Sequence, residues 1–344
     1  MDKCGLLKYL IWLLPTAIVL LCIPCIHSGA YANDSASDFR PAIIYEYSGL
    51  KGDKGFIDLV HQGAQQARQE VGIDYTTHRI GSQMDRIAEF TRIIRDGATH
   101  VIAVGFQNMV PVLTLADEYP EIKFTIIDGI APPIYGNVQS ISFKDHEGAF
   151  LVGIIAASVS GSDKVGFIGG MDVPLINNFA LGFHQGMKYA NPNAQLVRDT
   201  VGSDPSAWDN PDRAKALAKK QFNEGVHVVF AAAGGSGIGV LEAAEEMGRY
   251  AIGVDTNQNS LFTGTVVTSM IKRVDKAVYE TIISTYNGRW KSGIKYLGLR
   301  EEALDYAVDV HNRNLINLDI VETVEEARDK IMQGLIEVEV YSPY

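Results

Sequence analysis

The chain has 344 residues, 47% of them hydrophobic, and carries 30 basic against 41 acidic side chains, a formal net charge of −11. That length exceeds one ordinary domain and suits two cores of roughly 150 residues each. The acidic balance, with no Lys/Arg-rich stripe interleaved with aromatics, excludes a nucleic-acid backbone as partner.

The first 32 residues read as an export leader. Lys3 and Lys8 precede an uncharged run from Leu10 to Ile26, and Ala30-Tyr31-Ala32 is a small-residue cleavage pattern. Cleavage after Ala32 is expected, with an uncleaved anchor the alternative because the run is longer than the ~7–15 residues of an ordinary leader core. All three cysteines, Cys4, Cys22 and Cys25, lie in this segment, so the remainder has no thiol for a disulfide or a cysteine-ligated metal. Removing Asp2, Lys3 and Lys8 with it leaves 28 basic and 40 acidic residues and a net charge of −12.

Beyond the leader, short runs rich in Val, Ile and Phe alternate with helical patterns, as in parallel α/β sheets. Strands are expected at 42–47, 75–80, 100–105, 123–127, 138–143, 164–168, 195–201, 226–231, 250–254 and 266–269. Helices are expected at 55–71, 85–96, 107–119, 145–160, 175–190, 209–224, 236–247 and 273–288. So many strands at this helix spacing exceed one sheet, which predicts two doubly wound α/β lobes. In such sheets ligands lie beyond the carboxyl ends of the strands. Polar or glycine-rich turns stand there at 49–53, 105–108, 169–172 and 234–237, and at Asp128 and Asp255.

The segment Lys164 to Tyr189 reads as strand, glycine turn and helix, with Pro174 well placed to open the helix. Phe179 and Phe183, four residues apart, share one helical face and are either both core or divided between core and site. Gly234, Gly235, Gly237 and Gly239 have the wrong spacing for a dinucleotide fingerprint; a turn whose N–H groups approach a ligand hydroxyl is the better reading. His146-Glu147 resembles the start of a zinc-protease helix, but Phe150 stands where the second histidine belongs. No nucleophile elbow with a base is present, and no catalytic residues are visible. Asp128 and Asp255 each end an apolar run. An ionised aspartate suits a vicinal diol, while a helix N-cap explains either equally well.

The string KVGFIGGMDVPLINNF..GF..GM.Y.NP, with SISFKDHEGAFLVGIIAA at 140–157, VVFAAAGGSGIGVLEAA at 228–244, AIGVDTNQN at 251–259 and VVTSMIKRVDKAVYETI at 266–282, resembles the basic membrane protein family of bacterial solute-binding proteins. This family is also called the purine nucleoside receptor family. The resemblance implies a type I periplasmic-binding-protein fold that crosses between lobes three times, near Phe143, Met270 and Leu297. The lobes expected from it are 40–143 plus 271–297, and 144–270 plus 298–344. It implies a binding protein, not an enzyme, that captures a purine nucleoside without a cofactor and delivers it, as a monomer, to an ABC-type permease from the periplasm or cell exterior. By matching motifs, Phe56 and Phe179 stack on the base, Asp53 and Asp128 hold the base side, and Asp255, Lys272 and the Gly235 turn hold the ribose. Where members commonly carry D-K/R-S-F-N, this chain has Asp53-Lys54-Gly55-Phe56-Ile57-Asp58, which keeps Asp53 and Phe56 but not the serine or the asparagine, and so lacks the amide donor, with a carboxylate at Asp58 that cannot donate. Many members are lipoproteins, but Leu21 and Pro24 before Cys22 and Cys25 favour a soluble exported form over a lipid anchor. The alternatives are a sugar or other small signal in the same fold, or an exported nucleosidase.

Overall fold

The structure is a computed structural model that describes residues 38–46, 55–81 and 85–342. The leader with its cleavage site and cysteines, and Asp53 in the first loop, lie outside the described residues.

The first sheet contains β1 (Pro41–Glu46), β2 (Thr76–Ile80), β3 (His100–Val104), β4 (Lys123–Ile127), β5 (Val138–Phe143) and β11 (Gly293–Leu297), in the order β11-β5-β4-β3-β1-β2. The second contains β6 (Lys164–Met171), β7 (Gln195–Gly202), β8 (Val228–Ala232), β9 (Tyr250–Asp255), β10 (Val266–Lys272) and β12 (Leu304–Tyr306), in the order β12-β10-β9-β8-β6-β7. The two orders are the same once β1 to β5 are matched to β6 to β10. All ladders are parallel except β10 with β12.

The helices are α1 (Phe56–Val71), α2 (Arg86–Arg95), α3 (Met109–Glu118), α4 (Asp145–Val159), α5 (Pro174–Ala190), α6 (Pro211–Asn223), α7 (Gly237–Glu246), α8 (Val274–Tyr286) and α9 (Leu318–Gln333). The eight expected helices are all present. One buried apolar cluster fills the α2–α3 face of the first sheet, and another the α6–α7 face of the second. A third runs through α1, α8, α4, α5 and α9 and spans both sheets. Central strands such as β3 and β8 are buried at every position, which is why they read as unbroken apolar runs.

Helices α4 and α5 approach backbone to backbone. A Cβ added at Gly186 would lie 1.9 Å from the Phe150 carbonyl oxygen, and one at Gly182 would lie 2.2 Å from that of His146. This fixes the helix that carries Phe179.

The chain passes between the sheets after β5, after β10 and after β11. Lys144 N donates to Leu297 O at 2.8 Å and Arg273 N to Ala303 O at 2.9 Å, so the three passages run side by side. The passage expected near Met270 comes later, because Met270 lies inside β10, which stays paired with β12 through Lys272. Strands β11 and β12 and helix α9 were not anticipated. The residues of β11 are largely exposed, β12 is three residues long, and α9 opens on an Asn317 side chain that caps Ile320 N.

Candidate functional site

The carboxyl ends of both sheets meet at one cleft, the position where parallel α/β sheets hold their ligands. The first sheet contributes Phe56 and Ile57 from the start of α1, Gly105, Phe106 and Gln107 after β3, and Asp128 after β4. The second contributes Leu175, Ile176 and Phe179 from α5, Trp208, Gly234 and Gly235 after β8, Asp255, and Lys272 at the end of β10.

Asp128 and Asp255 follow equivalent strands and share a left-handed backbone, with φ of 62° and 68°. That conformation is costly outside glycine and collects at functional positions. Neither residue opens a helix: the next regular element after Asp128 is strand β5, and the short turn Asn259–Leu261 begins after Gln258. The helix-cap alternative is therefore set aside for both.

Lys272 is the centre of the site, and its side chain is 2% exposed. Its Nζ donates to Asp128 Oδ2 at 2.8 Å and lies 3.1 Å from Asp145 Oδ1. The ammonium sits 4.9 Å from the ring centre of Phe143, 5.4 Å from Phe179 and 5.8 Å from Phe56, within cation–π range. Burial alone would lower the lysine, but Asp128, Asp145 and Asp255 together hold it above its ordinary value. Lys272 and Phe143 end equivalent strands, β10 and β5, so the passages of the chain deliver a cation and a ring to the same place.

Of the expected site residues, Phe56, Asp128, Phe179, Gly235, Asp255 and Lys272 line one cleft, and Asp53 lies outside the described residues. Lys272, expected beside Asp255, makes its hydrogen bond to Asp128. Phe179 is 3% exposed and also packs against Phe230, ring centres 6.3 Å apart, so it lines the cleft while belonging to the core. Phe183 is wholly buried against Phe167 and Phe230.

Trp208 and Asp145 were missed, and Phe106 and Gln107 lie in the 105–108 turn expected at a strand's ligand end without having been singled out. Trp208 ends a short turn, Pro205–Trp208, whose composition gives only turn chemistry. Its six-membered ring lies over Gly170, where an added Cβ would come within 2.2 Å. The turn is held by Ser236, whose Oγ donates to Ala207 O at 2.8 Å and accepts from Asn210 N at 2.6 Å. The serine of the Gly234–Gly237 turn thus positions an aromatic. Asp145 had a readable neighbourhood in Lys144-Asp145-His146-Glu147, but nothing in it indicated contact with a lysine more than a hundred residues away.

The chain matches, over residues 42–342, the family model described as ABC transporter substrate-binding protein, PnrA-like. It is 30% identical over 317 residues to an uncharacterized lipoprotein of Pyrococcus abyssi, covering 89% of this chain and 77% of that one. It is likewise 30% identical over 299 residues to basic membrane protein D of Borreliella burgdorferi, covering 84% and 85%. An ABC transporter solute-binding protein from Aeropyrum pernix superposes with a TM-score of 0.80 at 26% identity, covering 89% of this chain and 94% of that one. A transcriptional activator of the comK gene from Bacillus halodurans superposes at 0.73 with 21% identity over 88% and 100%, which shows the fold.

Proposed function

The chain belongs to the PnrA-like family of ABC transporter substrate-binding proteins, and from that premise we propose that it captures a neutral purine ribonucleoside by closing two lobes around it. The family is extracytoplasmic, and membership implies a small-molecule ligand and a transporter permease as partner. With the second passage moved past Lys272, we assign the lobes as 40–143 plus 273–297 and 144–272 plus 298–344, the leader as removed after Ala32, and the mature chain as a monomer. Its family and neighbours are binding proteins.

The observation that carries the ligand reading is the composition of the cleft. Aromatic rings face it from both sheets, Phe56 from one and Trp208 and Phe179 from the other, while Asp128 and Asp255 stand at equivalent strand ends beside a single lysine. Flat apolar surface with hydroxyl-accepting carboxylates fits a base joined to a ribose better than a sugar alone. Two cleft-lining carboxylates, Asp128 and Asp255, against one ammonium leave the site negative, which favours a neutral nucleoside over a nucleotide.

A carboxylate that accepts the 2′ and 3′ hydroxyls makes charge-assisted bonds worth about 1.5–3 kcal/mol each. Asp255→Ala is therefore expected to cost at least about tenfold in affinity. It should also shrink the preference for adenosine over 2′-deoxyadenosine, since the deoxy ligand leaves a buried acceptor unpaired only while Asp255 is present. Equal binding of the two ligands by wild type would remove the ribose assignment. Trp208→Ala is expected to weaken adenosine binding by about 1–3 kcal/mol, the range for a base stacked on an aromatic ring. Calorimetric titration of each variant reads both.

A further inference from the structure

The first turn of α4 carries a carboxylate that ligand contact does not use. Asp145 lies just past the first passage between sheets, is wholly buried, and faces Lys272 Nζ at 3.1 Å. Neither of its oxygens has a hydrogen-bond partner among the described residues. The Lys272 ammonium is shared, 2.8 Å from Asp128 and 3.1 Å from Asp145, and is the partner that opposes the cost of burying the Asp145 charge. Two residues on, Glu147 Oε2 accepts from Leu299 N at 2.9 Å, beside the third passage. One helical turn therefore touches both other passages.

An ionised carboxylate without hydrogen bonds is expensive in a dry site. Here Asp145 shares one ammonium with Asp128 and Asp255. The other titratable groups at this turn are Lys144, paired with Glu147 at 3.1 Å, and His146, which burial holds below the ordinary imidazole range. Burial, partly opposed by Lys272 and reinforced by Asp128 and Asp255, pushes the Asp145 carboxyl up to about 7. A ligand that expels water from the cleft makes a third negative charge costlier still, so binding and protonation favour each other.

We propose that Asp145 is a proton-linked positioning residue: protonated, it leaves the Lys272 ammonium to Asp128 and the ligand, and ionised, it draws the ammonium toward the hinge and weakens binding. The binding half of this rests on the nucleoside reading. Calorimetry of adenosine binding at neutral pH, in two buffers of different ionisation enthalpy, reads proton uptake directly. Wild type should take up a fraction of a proton and lose about threefold or more in affinity between about pH 6 and about pH 8.5. Asp145→Asn, which carries no charge, should take up none and bind equally across that range. Matching uptake and matching pH profiles in the two proteins overturn the proposal. Failure of every nucleoside to bind defeats the ligand reading separately, and Asp145 is then tested in the ligand-free protein. Infrared difference spectra of wild type against Asp145→Asn should show a carboxylic-acid carbonyl band at about pH 6 that is lost by about pH 8.5. Absence of that band at the lower pH overturns the protonation on which the proposal depends.

Discussion

Replacing Lys272 by Met is expected to abolish ligand binding and to destabilise the protein by about 3–5 kcal/mol, the cost of removing one partner from a buried ion pair. The ammonium is 2% exposed and lies within 3.1 Å of carboxylates on two different segments, Asp128 after β4 and Asp145 at the start of α4. Methionine fills the same volume but leaves those carboxylates facing each other without a cation. Its burial between those carboxylates makes Lys272 a structural cation as well as the expected ligand donor. The pH dependence has a definite sign. Burial already raises the Asp145 carboxyl, and without the opposing lysine it stands further above its unfolded value, so its contribution is fully present below the unfolded range and is lost as pH rises through the folded value. The deficit of the variant against wild type should therefore shrink on acidification. Urea unfolding across the acid range measures it, and a deficit at neutral pH under about 1 kcal/mol would mean that the amine behaves as an exposed pair does.

Phe183→Ala is expected to cost about 3–5 kcal/mol of stability, as deletion of a buried phenylalanine does, with nucleoside affinity in the remaining folded protein unchanged. The ring is fully buried and lies 6.2 Å from Phe167 and 5.2 Å from Phe230, in a tilted aromatic cluster beneath β6 and β8. One turn earlier, Phe179 borders the cleft and packs on Phe230 as well. Its truncation should lower both stability and affinity. The two residues are indistinguishable in helical pattern, and only the direction of α5, fixed by its contact with α4 through Gly182 and Gly186, separates them. Denaturant unfolding paired with calorimetry distinguishes the outcomes, and a loss of affinity for Phe183→Ala without a loss of stability would reverse the assignment.

The central strands and the helices beside them were legible because β3, β8 and α4 bury nearly every residue and leave continuous apolar runs. The edge strands were not: β11 is largely exposed, and β12 is only three residues long, too short to show a pattern. The carboxylates after β4 and β9 could be found because ligand sites gather at strand ends. What could not be found was coupling across the fold. Asp145 and Lys272 are brought together by two separate passages between sheets, and Trp208 reaches the cleft on a turn after an edge strand, secured by Ser236 from the neighbouring turn. Sequence spacing holds no record of either contact.

Titration of ligand-free protein with adenosine, inosine, guanosine, adenosine monophosphate and ribose tests the central claim most directly. The account predicts one saturable site for at least one purine nucleoside, with a Kd of about 1 μM or tighter, equivalent to about −8 kcal/mol, and much weaker binding of both the nucleotide and the free sugar. Ribose or adenosine monophosphate binding as tightly as the best nucleoside would contradict it, because the first would make the aromatic walls irrelevant and the second would defy a cleft whose two carboxylates, Asp128 and Asp255, outnumber its one lysine.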